Sequence, residues 1–225
     1  MRRDLAEAAW PDVASAELLL VPVGSIEQHG PHLPLNTDTV IAAAVAEAAA
    51  ERLPGAWVAP PVAYAASGEH QGFSGTSSIG ADALHLTIVE LVRSMRNWVP
   101  RVFFVNAHGG NQRVLDAAVA QLVHEAHDVA WAPCAVPGAD PHAGRTETSL
   151  MLHLRPDSVR RDRLEAGNTE PLRKIWDALS RGGVREVSEN GVLGDPRGAT
   201  AEEGATILAA LTDSVLDRVM RWRTP

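Results

Sequence analysis

The chain has little of several residue types, and each scarcity excludes a class of protein. It contains one cysteine, Cys134, so no intrachain disulfide can form, which fits a reducing compartment. Its single lysine is Lys174, its net charge is -8, and its basic residues form no cluster. These features argue against nucleic acid or an anionic membrane as a partner. No apolar run approaches the roughly 20 residues that span a bilayer. We therefore expect a cytoplasmic protein with neither kind of partner.

The 225 residues are enough for one α/β domain with a full core. Strand-like and helix-like patterns alternate without a linker or repeat, so we predict a single domain over residues 1–225. We expect Thr37 or Asp38 to cap the first helix and Thr146 to cap the fourth. Predicted strands lie at 18–23, 56–60, 101–106 and 129–134, and predicted helices at 39–52, 82–99, after 111, 146–154, 172–179 and 201–222; the rest of 160–197 has no clear pattern.

The loop after the first predicted strand is the most informative segment. The aliphatic run 18–23 ends at Gly24, which is typical of a buried strand, and Glu27, His29 and Asp38 follow within a few residues. Open α/β sheets place their chemistry at such strand ends. A carboxylate–imidazole–carboxylate set can hold a divalent cation, and a shared aspartate can bridge two. A hydrogen-bonded loop framework explains these three residues equally well.

Two later loops favour the metal hypothesis. His108 follows the strand 101–106 and precedes Gly109 and Gly110, where the missing side chains let a ligand approach backbone N–H groups. His142 and Glu147 flank the start of the helix at 146–154. Each alone could be structural, for example a glutamate that complements a helix dipole. Three such loops, each after a strand, predict one shared site.

Residues 25–34, 106–111 and 142–149 resemble, in order, the creatinine amidohydrolase (creatininase) family, and the resemblance runs from about residue 18 to 156. It implies a three-layer α/β/α fold with a mostly parallel sheet, amide hydrolysis, and a homo-oligomer, often a hexamer. It also implies two divalent metal ions per chain, for which zinc, iron(II) and manganese all suit the donor set.

The same resemblance implies roles for matching residues. Asp38 is expected to bridge the two metals, and His142 to transfer a proton. The implied metal ligands are Glu27, His29, Asp38, His108 and Glu147, and the implied neighbours of the metals or substrate are His32, Glu69, His70, Gly109, Gly110 and Asn111.

One departure from creatininase itself bears on the substrate. In that enzyme a tyrosine and a metal-binding glutamate follow the strand-end histidine, whereas this chain has Gly109 and Gly110 there. Glu147 is the candidate for the missing carboxylate. No obvious tryptophan of the kind that encloses creatinine lies near His142. We therefore expect creatinine to be a poor substrate.

Within the family, residues 64–71, 140–144, 166–168, 181–184 and 191–196 are most similar to the peptidases of the mycofactocin system. This implies that the substrate is a modified precursor peptide, from which a C-terminal valine-tyrosine-derived dipeptide is released. The alternatives are a formamide hydrolase of a flavin-like cofactor pathway, a creatinine amidohydrolase and a non-catalytic metal-binding member. His142 beside a full ligand set argues against the last, because mere binding needs no proton donor.

Overall fold

A computed structural model describes residues 3–223, and four parallel strands form its central sheet. Most of their residues are aliphatic and buried, as expected for a parallel sheet covered on both faces. Val23, Asn106 and Pro133 lie side by side, so three strands end at one level. The strands are β1 (Leu18–Val23), β2 (Ala56–Val58), β3 (Val102–Asn106) and β4 (Val129–Pro133), in the order β2-β1-β3-β4.

Helices cover both faces of the sheet. Side chains alternate along a strand, so Leu19 and Val21 pack with the helices at 80–95 and 112–124, while Leu18 and Leu20 pack with those at 37–52, 145–154 and 201–223. The helices in the described chain are α1 (Thr37–Arg52), α2 (Gly80–Met95), α3 (Gln112–His124), α4 (Arg145–Leu154), α5 (Leu172–Gly182), α6 (Val184–Val187) and α7 (Ala201–Arg223). The predicted three-layer α/β/α fold with a parallel sheet is confirmed. Among the described residues, no helix is both long and apolar enough to cross a membrane.

Both predicted helix caps are wrong. The helix α1 begins two residues early, and the Thr37 hydroxyl donates to the Pro34 carbonyl while the Asp38 side chain points to other partners. The helix α4 begins at Arg145, with its first N–H groups donating to the carboxylate of Asp140. A side chain from the preceding loop therefore satisfies the helix start that Thr146 was expected to cap.

The segment 160–197, which had no clear sequence pattern, folds over the carboxyl end of the sheet. It contains α5, α6 and a loop at 188–196. Leu193 in this loop pairs antiparallel with His142, through hydrogen bonds in both directions. The segment therefore forms the roof above the strand ends.

Candidate metal centre

The five predicted ligand residues converge beyond the ends of β1 and β3. Glu27 and His29 lie in the loop after β1, Asp38 in the first turn of α1, His108 directly after β3, and Glu147 in the first turn of α4. All are buried except Glu147, which is partly exposed. Sheet and helix starts thus bring together residues up to 120 positions apart in sequence, counting from Glu27 to Glu147.

Their donor atoms form two adjoining triads that share Asp38. His108 Nδ1 lies 3.2 Å from Glu27 Oε1 and 3.2 Å from Asp38 Oδ2. His29 Nε2 lies 3.0 Å from Asp38 Oδ1 and 3.9 Å from Glu147 Oε2. Within each triad all donor atoms lie within 4.8 Å of one another, so each could surround one cation. One oxygen of Asp38 faces each triad, which is the geometry required of a bridge.

Glu27 gives the sharpest test of whether a metal fits. Both of its carboxylate oxygens are buried, and neither has a hydrogen-bond donor among the described residues. Burying a carboxylate without hydrogen-bond donors destabilises a protein by roughly several kcal/mol, unless a bound cation neutralises its charge. The donor set of imidazole and carboxylate groups is also one that divalent metals accept. The residues present therefore fit a metal.

Neighbouring groups aim the imidazoles of both triads inward. His29 Nδ1 lies 3.1 Å from the carbonyl oxygen of Glu27, and His108 Nε2 lies 3.0 Å from that of Ala66. A carbonyl only accepts, so these nitrogens carry protons, and the opposite nitrogens, which face the carboxylates, are the ones that would bind a cation. Ser25 Oγ also donates to Asp38 Oδ2 at 2.8 Å.

The cluster strongly attracts positive charge. Burial disfavours a charged His29, but the charge and hydrogen bond of Asp38, together with the charges of Glu147 and Glu27, outweigh it and raise the pKa of His29 to about 10. Burial raises the pKa of Glu147 to about 8, and repulsion from Asp38 adds to it against the pull of His29. The His29 imidazole and the Glu147 carboxyl thus retain protons near neutral pH, and metal cations would displace those protons.

His142 lies beside the triads. Its ring centroid is 4.4 Å from that of His29, and its Nδ1 is 3.8 Å from Glu27 Oε1. Burial, followed by the neighbouring His29 and His70, lowers the pKa of His142 well below its usual value. The imidazole is therefore neutral near pH 7 and can accept a proton.

The remaining predicted residues divide into two groups. Glu69 and His70 adjoin the triads: Glu69 Oε1 lies 3.4 Å from His108 Nε2, and His70 Nε2 lies 3.2 Å from Glu27 Oε1. A Cβ atom on Gly110 would collide with the Glu69 carboxylate and the His108 ring, so only glycine permits this contact.

His32 and Asn111 have structural partners instead. His32 Nε2 lies 2.9 Å from Thr148 Oγ1 on α4. The Asn111 amide is buried and bonds to Ala66, Gly24 and Asn106, which ties the loops together. Neither side chain lines the cavity described next.

A cavity of about 750 Å³ lies between His108, which belongs to one of the triads, and the roof segment. His70, His108 and His142 form its inner wall together with Gly109 and Gly110, and α5 forms its outer wall. Two wall residues on α5 stay exposed, Trp176 at 48 % and Leu172 at 38 %. The sequence did not predict this wall. Its signal was the spacing of Leu172, Trp176 and Leu179, which is also that of an ordinary core-facing stripe.

The family model for creatininase, creatinine amidohydrolase, matches residues 6–219. The chain belongs to the creatininase family, as its motifs predicted. It is 56% identical over 211 residues to the mycofactocin precursor peptide peptidase of Mycolicibacterium smegmatis. This alignment covers 92% of this chain and 85% of that protein. It is 33% identical over 174 residues to 2-amino-5-formylamino-6-ribosylaminopyrimidin-4(3H)-one 5'-monophosphate deformylase of Methanothermobacter thermautotrophicus, covering 76% and 70%.

Solved creatininase structures share the fold. One described as the Zn-Zn type of a creatininase mutant and one described as creatininase Mn each align over 100% of both chains, with a TM-score of 0.83 and 25% identity. The mycofactocin likeness and the three-layer fold are thus both confirmed, and the fold is one of metal-dependent hydrolases.

Proposed function

We propose that this chain is the metal-dependent peptidase that releases the C-terminal valine-tyrosine-derived dipeptide from the modified mycofactocin precursor peptide. The observation that carries the proposal is the pair of buried triads sharing Asp38, with a neutral His142 beside them and a peptide-sized cavity above. The relatives named mycofactocin precursor peptide peptidases support the choice of substrate.

Two metal ions would occupy the triads. Glu27, Asp38 and His108 would hold one ion, and His29, Asp38 and Glu147 the other. Divalent ions bound there supply a Lewis acid for the amide carbonyl and lower the pKa of water toward neutrality. Zinc, iron(II) and manganese all accept these ligands.

His142 would move the proton. Its Nδ1 faces the triads, accepts a proton from the attacking water and gives it to the leaving nitrogen. The remaining hydroxyl stays on the acyl carbon as the carbon–nitrogen bond breaks. The products are a shortened peptide with a new carboxyl group and an amine that carries the valine-tyrosine-derived end.

The cavity favours a peptide end over a small ring. Its volume of about 750 Å³ exceeds what creatinine would fill, and Gly109 has open space where a side chain would narrow the entrance. The outer wall on α5 includes the apolar side chains of Leu172 and Leu179 and the indole of Trp176. An aromatic peptide end can bury surface there, whereas a small ring near the triads would not reach it.

The direct test is mass spectrometry of the modified precursor peptide incubated with metal-loaded and chelator-treated protein. We expect cleavage near the C-terminus by the loaded protein, none after chelation, recovery on adding divalent metal, and little turnover of creatinine. An intact peptide together with formate release from a formamidopyrimidine would replace the peptidase proposal with the deformylase alternative. No hydrolysis of any of these amides would favour a non-catalytic family member.

Trp176→Ala should weaken binding of the peptide. Stacking of an aromatic ring contributes about 0.5–1.5 kcal/mol, so KM should rise about twofold to tenfold with kcat little changed. Trp176→Phe should retain most of the affinity. The control is Trp10→Ala, since Trp10 is 83% exposed and lines a separate depression. An unchanged KM in Trp176→Ala, measured by steady-state kinetics, would remove α5 from the substrate site.

The family resemblance also leads us to propose a cytoplasmic homo-oligomer, with a hexamer as the expected size. Light scattering of the purified protein measures the size of the oligomer directly. A monomer at micromolar concentration would contradict it.

A further inference from the structure

The Gln28 side chain is buried between two imidazoles of the site, and its orientation is fixed by backbone groups. Its Oε1 accepts a hydrogen bond from the N–H of Gly30 at 2.8 Å, and its Nε2 donates to the carbonyl of Gly191 at 3.0 Å. An N–H can only donate and a carbonyl can only accept, so the amide cannot be turned around. Residue 191 must be glycine, because a Cβ atom there would collide with the Gln28 amide.

This orientation determines which nitrogen of His70 carries the proton. Gln28 Nε2 lies 2.9 Å from His70 Nδ1. Since the amide nitrogen only donates, His70 Nδ1 must accept, and the proton of the neutral ring lies on Nε2. His70 is one of the residues that line the cavity. His70 Nε2 is 3.2 Å from Glu27 Oε1 but is not aligned for a hydrogen bond to that carboxylate.

The backbone of the same residue fixes His142 in the complementary state. His142 Nε2 lies 2.8 Å from the Gln28 carbonyl oxygen, so this nitrogen carries the proton and Nδ1 presents a lone pair to the triads. Gln28 Nε2 is also 3.1 Å from His142 Nε2, but its two hydrogens already serve His70 and Gly191 at shorter distances. The two rings, with centroids 4.4 Å apart, thus face the cavity as one donor and one acceptor.

We propose that His70 is a further catalytic residue, whose Nε2–H donates to the substrate carbonyl oxygen, and that Gln28 is a positioning residue that fixes both tautomers. The catalytic part rests on the proposed function. A fixed donor aimed at an oxygen that gains negative charge in the transition state stabilises it without reorganisation. His142 accepts the water proton at the same time, so one glutamine sets the two opposite roles.

Nitrogen-15 NMR of the zinc-loaded protein tests the tautomers without any substrate. We expect both His70 and His142 to be protonated at Nε2 and unprotonated at Nδ1. Gln28→Glu places an acceptor where the amide donated, so His70 should switch to the Nδ1–H form. A wild-type His70 protonated at Nδ1 would overturn the proposal, as would an unchanged tautomer in Gln28→Glu.

Two substitutions of His70 test its catalytic part. Glutamine can place an N–H where Nε2 lies, whereas asparagine reaches only the position of Nδ1. We expect kcat to fall less than about tenfold in His70→Gln and about 10²–10³-fold in His70→Asn, the loss typical of one oxyanion donor. KM and the metal content, measured by elemental analysis, should stay near wild type in both.

Equal losses of kcat in the two His70 variants, or loss of metal in both, would contradict a donor role. Failure of the wild-type protein to cleave the peptide is a different result, since it contradicts the proposed function itself. In that case the NMR measurement still decides whether Gln28 fixes the tautomers.

Discussion

Asp38→Ala is expected to remove both metal ions and abolish turnover. Each oxygen of Asp38 belongs to one triad, at 3.0 Å from His29 and 3.2 Å from His108, so its loss leaves each site with two ligands. Elemental analysis should find close to two metals per wild-type chain and far below one in the variant. Activity should fall by more than about 10⁴-fold, because the site would lose all metal assistance.

The control for this experiment is Asp162→Ala, which removes an exposed aspartate from a short helical turn far along the chain. It should retain both metals and full activity. Full metal occupancy in Asp38→Ala would exclude Asp38 as a bridge. Loss of one ion alone would assign it to a single triad.

His142→Ala should also lose turnover, but both metal ions should be retained. The five proposed ligands should stay in place, because His142 Nδ1 lies 3.8 Å from Glu27 Oε1, which is too far for a hydrogen bond that holds this carboxylate. A group that transfers a proton contributes about 10²–10⁴-fold, so kcat should fall by that factor. Single-turnover kinetics alongside elemental analysis separate the two effects.

His153→Ala is the matched control, since His153 is exposed on α4, the helix that also carries Glu147. Its kcat should match the wild type. If His142→Ala instead loses a metal ion, the imidazole belongs to the ligand set with Glu27 and His29, with which it also forms a group of suitable size.

The parallel sheet and the convergence of the triads could be predicted from sequence for a local reason. Short aliphatic runs specify buried strands, and parallel strands deliver their following loops to one edge. Glu27 and His108 each lie within a few residues of such a run, so their meeting followed from the fold class. The pairing of Glu147 with His29 needed the family resemblance, because nothing local specifies the direction of α4.

The roof and the Gln28 network could not be predicted in this way. Gln28 and Gly191 are 163 residues apart, and their bond depends on a loop without strand or helix periodicity. Gln28 also lies between two more conspicuous residues, Glu27 and His29. The exposed Trp176 has the spacing of a core residue, and only the tertiary structure shows that it faces a cavity.

The cap of α4 illustrates the same limit at short range. Thr146 has the chemistry of an N-cap, but Asp140 accepts the first N–H groups from five and six residues away. A carboxylate stabilises a helix start more strongly than a hydroxyl, through both hydrogen bonding and the dipole. The loop between them brings it there through Ala143, which has a positive φ of 52°.

The most direct test of the metal centre is a crystal structure of the metal-loaded protein, with anomalous data collected at the absorption edge of the bound metal. Two anomalous peaks are expected in each chain, one among Glu27, Asp38 and His108 and the other among His29, Asp38 and Glu147. A single peak, or peaks that do not share Asp38, would contradict the proposed metal centre.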